Sequence, residues 1–281
     1  MELKELLNKG LIAGYDEENR VLIVPKSMYD STLKTMVPSD YNVITITHPI
    51  RALSSTGVNR KTRYDVLVSG ISTGHALITA GTLGWFVIDD KSGEIVQISN
   101  AHVFHPNPSS ENPPIVNQIL QPGPYDGGDL NDVSGHFIRH VPVKPLHEQS
   151  NCPLAKLWAG IYNVFADIFK ANTRIIPITT NVNRVDVAIA TIERKYEKKI
   201  LLDDGSYATP NKIYGLVFAG SSEDKLMIFC KAELIEKELN VTFEEEIAKP
   251  KLGDKVRFCG RTSGCQEGVI LATNATINVL Y

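Results

Sequence analysis

The chain has 281 residues, 43% hydrophobic and 22% charged, a balance that supports a folded core, excludes a disordered protein and leaves room for two domains. Its net charge of −3 offers no overall attraction for nucleic acid or for an anionic membrane, so neither is expected as a partner. No apolar run reaches the roughly 18 residues of a membrane span.

The start, Met1-Glu2-Leu3-Lys4-Glu5, is charged and then amphipathic. It lacks the apolar stretch and small-residue cleavage site of a secretory signal, and a cytoplasmic location is expected. The four cysteines, Cys152, Cys230, Cys259 and Cys265, are too few and too scattered for a disulfide scaffold, and no C-x-x-C pair is present. Reduced thiols are the default for such a chain, with Cys259–Cys265 and Cys230–Cys259 left as open pairings.

In chain order, residues 1–53 read as a small α/β unit. A short amphipathic helix over 2–8 is followed by Gly10 at a C-cap position. Strands are expected at 21–24 and 43–46, with a helix between them over 27–36. Residues 54–63 are polar and Gly-containing and read as a linker. From 64 to 281 short strands recur between turn signals: 65–68, 82–88, 94–99 and 135–143, with a hairpin connection over 89–93 and a Pro/Gly/Asn/Asp-rich loop over 105–132. Further strands are expected at 185–192, 212–219, 225–231, 254–259, 267–272 and 275–281. A polar helical stretch covers 232–247. The clusters around Arg60-Lys61-Arg63 and Lys195, Lys198 and Lys199 read as solvated faces. Serial short strands argue for a sandwich or barrel.

One segment departs from that rhythm. Leu154, Leu157, Trp158, Ile161, Phe165, Ile168 and Phe169 recur at helical spacing behind Pro153, which predicts a helix over 153–171 within an insertion spanning about 150–175, its apolar stripe used for packing.

The chemically informative stretch is Thr79-Ala80-Gly81-Thr82-Leu83-Gly84-Trp85-Phe86-Val87 followed by Ile98-Ser99-Asn100-Ala101-His102-Val103: a Gly-containing strand, a hairpin, and a second strand ending in small polar residues and a histidine. It resembles the trypsin-like (chymotrypsin-fold) serine peptidases, whose members read A-G-T-L-G and then L-S-N-x-H-V. Four further stretches are similar to that family in the same order: Gly70-Ile71-Ser72-Thr73-Gly74-His75, the loop Gln121-Pro122-Gly123-Pro124-Tyr125-Asp126-Gly127-Gly128, the strand Val185-Asp186-Val187-Ala188-Ile189-Ala190, and Gly260-Arg261-Thr262-Ser263-Gly264 with Gly268-Val269. The resemblance covers about residues 70–281. It implies a mainly β, chymotrypsin-like pair of barrels, a peptide or protein substrate, no cofactor and no metal, with His102 as general base and Asp186 orienting it. The residue types suit that chemistry. A serine hydroxyl is a weak nucleophile until an imidazole takes its proton, and a buried carboxylate holds the imidazole tautomer. Asp186 lies in an apolar strand, where an unpaired carboxylate is costly.

The family's G-D-S-G-S nucleophile motif is absent from the chain, and with it the oxyanion hole. Ser263 is the available substitute, but it belongs to an early hairpin of the second barrel, with only residues 264–281 after it to complete the barrel. The chain alone is therefore expected to be nearly inactive, since loss of the nucleophile costs a factor of about 10⁶. Its second barrel is expected to be incomplete and open to self-association or to a polypeptide supplying strands and serine. The runner-up reading is a catalytically dead module that binds peptide or protein. Asp126, Asp129, Asn131 and Asp132 read as a solvated turn rather than a calcium loop. His102/His105 and His136/His140 lack a third ligand of defined spacing for zinc.

Overall fold

The computed structural model describes residues 3–29, 37–47, 58–145, 147–168, 170, 173–221, 226–277 and 279. The expected helix over 27–36 lies largely outside these residues, as do 54–57 of the expected linker over 54–63. Within its described part Arg60 is buried and pairs with Asp203 at 2.9 Å, so the Arg60-Lys61-Arg63 cluster is not wholly the solvated face expected.

The fold is mainly β and is organised by one curled, eight-stranded half-barrel sheet. Its strands lie in the order Val241–Thr242, Trp85–Asp89, Ile95–Ser99, Ala188–Ala190, Val133–His140, Gln118–Leu120, Ser72–His75, Gly81–Thr82. The alternation of side chains along each strand feeds two cores, because both faces are covered. Phe86, Ala188 and Ala190 face a cluster with Leu67, Phe104 and Ile119. Trp85, Val87 and Ile189 face the opposite way, onto Leu216 and the helix Ala232–Leu239. The Trp85–Asp89 and Ile95–Ser99 strands form the expected hairpin, closed by Gly93 at φ +73°, where a left-handed backbone favours glycine.

Several expected boundaries shift. The strand over 82–88 is broken at Leu83-Gly84, and that over 185–192 shrinks to Ala188–Ala190. Asp186 thus sits in the approach to its strand, where the backbone turns its carboxylate toward residues 100–102. The loop 105–132 contains the strand Gln118–Leu120. Lys195, Lys198 and Lys199 belong to the strand Lys195–Leu201, which runs parallel to Val66–Ser69. Its charges hid a register in which Leu201 is buried.

The segment after the half-barrel contributes two separate two-stranded hairpins, Gly215–Ser221 with Leu226–Lys231 and Lys255–Gly260 with Gly264–Val269. Among the described residues they do not join into a second closed sheet. The final strand, Thr276–Ile277, pairs with Gly14–Tyr15 at the edge of an N-terminal sheet that also holds Val21–Pro25 and Asn42–Ile46. Asp16 explains this choice. Its buried carboxylate accepts the N–H groups of Thr273 and Asn274 (2.9 Å each) and the Asn19 amide (2.7 Å). Ile23 and Ile46 of the same sheet pack with Ala219 and Ile228 of the first hairpin.

Two expectations are corrected. Cys259 and Cys265, opposite each other across the second hairpin, form a disulfide rather than two reduced thiols; cross-strand neighbours bring their Cα atoms to 4.0 Å, close enough to bridge. The inserted helix forms, over Pro153–Ile168, but its apolar stripe is not used for packing: Leu154, Leu157, Trp158 and Ile161 are exposed. The helix docks by its opposite side. Ala159 and Ala166 are buried, and the Asn163 amide donates to the Ile175 carbonyl and accepts the Ile175 N–H. Among the described residues no helix is long and apolar enough to cross a membrane.

Candidate active site

The strand Ile95–Ser99 runs into a single helical turn, Ala101–Phe104, with Asn100 at its N-cap. Gly81 lets that turn settle. A Cβ there would come within 2.3 Å of Val103 Cγ2, so the A-G-T-L-G glycine is required by the residue next to His102. The neighbouring strand brings Asp186 to the same end of the sheet, in the register Ala188 opposite Ser99.

Asp186 and His102 meet there. His102 Nδ1 lies 2.5 Å from Asp186 Oδ2. The other carboxylate oxygen accepts the Ala101 N–H at 2.7 Å and the His102 N–H at 3.3 Å. The Asn100 amide donates to the Asp186 carbonyl at 3.0 Å. Three N–H donors thus converge on a carboxylate that is 4% exposed, while the His102 ring is 34% exposed. A buried carboxylate is costly unless its oxygens are bonded, as they are here, and charge-assisted bonds of this kind are the strong ones. Because the carboxylate is an acceptor only, the ring carries its proton on Nδ1, leaving Nε2 as the basic nitrogen. Behind the pair lies Cys230, whose Sγ accepts the Asp186 N–H at 3.4 Å. Burial, opposed by the bond from the Asp186 backbone N–H and helped by the Asp186 charge, pushes its thiol up to about 12. It is no nucleophile at neutral pH.

Ser263 is placed differently. It sits at the end of the second hairpin, 7% exposed, with its Oγ packed beside Gly260, where a Cβ would come within 2.5 Å of it. Its neighbour Arg261 is committed elsewhere. Arg261 Nη2 and Nε bond the two oxygens of Asp126 at 2.5 and 2.6 Å, and its backbone N–H donates to Thr82 Oγ1. Ser72 Oγ donates to Asp126 at 2.6 Å and accepts the Gly123 N–H at 3.0 Å. Three of the sequence motifs, those of Ser72, Asp126 and Arg261, therefore converge on one buried ion pair. Their joint role was not read from the sequence; the only signal was that Asp126 and Arg261 each stand beside a glycine. In the same loop Gly128 is required, because a Cβ would lie 1.9 Å from the Pro122 carbonyl oxygen.

The remaining candidates do not gather. Asp126 is held by Arg261, Asp132 pairs with Arg63, and Asp129 accepts the Asn131 N–H, so these carboxylates are each engaged with a different partner. His136 pairs with Glu193. His105 donates from Nε2 to the Asn112 carbonyl and stacks on His140 at 4.4 Å. Among the described residues no group of three His, Cys, Asp or Glu side chains is arranged to hold a metal.

No family model matches the chain, and no curated protein matches it.

Proposed function

We propose that this protein is a peptidase-like module in which His102 and Asp186 are the general base and the orienting acid of a serine endopeptidase site. The observation that carries this reading is the His102 Nδ1–Asp186 bond at 2.5 Å, with the same carboxylate fixed by two backbone N–H groups. In the reaction, Nε2 takes the hydroxyl proton as the serine Oγ attacks the peptide carbonyl carbon. The carbonyl electron pair moves to oxygen and returns as the C–N bond breaks. Nε2–H protonates the departing amine, and water repeats the sequence on the acyl-enzyme. Asp186 stays ionised throughout and stabilises the imidazolium. The double-barrel arrangement of the trypsin-like peptidases is part of the same proposal; the curled eight-stranded sheet is compatible with its first half.

In this proposal the nucleophile is a serine supplied by a second polypeptide. Burial of Ser263 beside Gly260 and the commitment of Arg261 to Asp126 argue against Ser263. They favour, as a second reading, a module that binds peptide without cleaving it.

Two measurements test this. In proton NMR, a strongly downfield His102 Nδ1–H resonance is expected and should vanish in Asp186→Asn; its absence from the wild type would sink the dyad. A fluorophosphonate probe should leave the chain unlabelled; a His102-dependent adduct on Ser263 would overturn the external serine.

A further inference from the structure

The helix Pro153–Ile168 is amphipathic and mounted inside out. Residues at i, i+3, i+4 and i+7 share one face, and Leu154, Leu157, Trp158 and Ile161 all point to solvent, Trp158 at 65% and Leu154 at 62% exposure. Tyr162 and Val164 widen the same arc and are exposed too. The helix is anchored through Ala159, Ala166 and the Asn163–Ile175 bond pair, and the following segment adds exposed Ile176 and Ile178. So large a contiguous apolar face marks an interaction surface.

The chemistry around it selects the partner. Lys156 lines a groove with Leu157, Ile161 and Val164, and Lys170 and Arg174, which follow the helix in the chain, are exposed. Between residues 144 and 184 five basic residues stand against two acidic ones, Glu148 and Asp167, in a chain whose net charge is −3. The overall charge, which argued against a membrane, conceals this local reversal. The groove lined by Lys156, Leu157, Ile161 and Val164 opens over Gly160, beside which no atom would meet an added Cβ within 4 Å. Tryptophan and tyrosine among aliphatic side chains, with lysine and arginine nearby in the chain, suit the boundary between headgroups and acyl chains. Lysine is depleted in the cores of protein interfaces.

We propose that this face docks on the surface of an anionic lipid bilayer. The helix lies in the interfacial plane, with Leu157, Trp158 and Ile161 among the upper acyl carbons and Lys156, Lys170 and Arg174 against lipid phosphates. It does not span. The insertion joins the strands Val133–His140 and Ala188–Ala190, which pair with His140 opposite Ala188, so it leaves the sheet at the end where His102 and Asp186 sit. Docking therefore turns that end of the half-barrel toward the membrane. The surface stands independently of the proposed peptidase chemistry.

The test is co-sedimentation of the full chain with vesicles of phosphatidylcholine alone and of phosphatidylcholine with phosphatidylserine. Binding to the anionic vesicles should be about tenfold tighter or more and should weaken as salt rises. Trp158→Glu with Leu157→Glu should abolish it with an unchanged circular-dichroism spectrum. Lys156→Glu with Lys170→Glu should remove the preference for anionic lipid. No binding to either vesicle, or binding that survives both double variants, overturns the proposal. Concentration-dependent self-association in lipid-free solution that Trp158→Glu abolishes also overturns it, by assigning the face to a second copy of the chain.

Discussion

Two buried carboxylates in this protein are handled in opposite ways. Asp126 is 3% exposed and faces Arg261, a permanently charged fork that is itself 10% exposed. Asp186 is as deeply buried but faces His102, whose ring reaches solvent. The first pair locks two loops together and has nothing to exchange. The second sets a buried carboxylate behind an imidazole that reaches solvent, the arrangement the proposed base requires. The difference lies in the partner and not in the burial: a guanidinium makes a carboxylate structural, an imidazole makes it useful to chemistry.

The contrast predicts unequal costs of disruption. Arg261→Ala strands Asp126 with Ser72 as its remaining side-chain donor among the described bonds. Removing one partner of a buried pair costs about 3–5 kcal/mol, read as a shift of the urea midpoint. A smaller loss would show that water reaches Asp126 and that the loops are not locked. Asp186→Asn keeps the shape but exchanges an ionised acceptor for a neutral amide. Two backbone N–H groups and the ring then compete for one weaker oxygen, and a loss of about 1–3 kcal/mol is expected. His102→Ala should cost only about 1 kcal/mol, because Ala101 and His102 still donate their backbone N–H groups to Asp186. If His102→Ala proved as damaging as Arg261→Ala, the imidazole would be structural and the comparison would fail.

How much of this was legible in the sequence follows the same division. The hairpin around Gly93, the His102 turn and the Asp186 strand were readable because each combines a short-range signal with a chemical reason. A glycine permits a close approach, and an aspartate among valines demands a partner. The Asp126–Arg261 pair was not, since 135 residues separate its members and Asp126 stood in a polar loop that looked solvated. The destination of the last strand was equally hidden. Alternation at Thr276 and Ile277 announces a strand, but its pairing depends on Asp16, at the other end of the chain. For the helix Pro153–Ile168 the periodicity gave the element and misled about its face, because an apolar stripe says that burial is favourable and not what will do the burying.

The smallest effect concerns mild acid, where Asp126 should be silent while other groups report. Burial raises the Asp126 carboxyl, but the bonds from Arg261 and Ser72 outweigh it and leave it below the ordinary carboxylate range. Its contribution is therefore present above about pH 4 and lost only as pH falls through its lowered folded value. Two histidines lose stability in the same direction but at higher pH, because burial lowers an imidazole where it raises a carboxyl. His75 is fully buried and its pKa is lowered by that burial, although its Nε2–H donates to the Val116 carbonyl. His140 is lowered by burial and by neighbouring His105, against smaller upward pulls from the Pro108 and Ser110 backbone and from Asp186. With folded values below the unfolded one of about 6.5, the unfolded chain binds more protons in that window, and stability rises with pH up to about 6.5 and falls below it. Urea midpoints measured at successive pH values should show this slope before Asp126 is protonated. His140→Phe, which can still stack on His105 but cannot titrate, should flatten it in part. An unchanged slope in that variant would assign the acid sensitivity to His75 alone, and a flat wild-type profile above pH 4 would remove both histidines from the account.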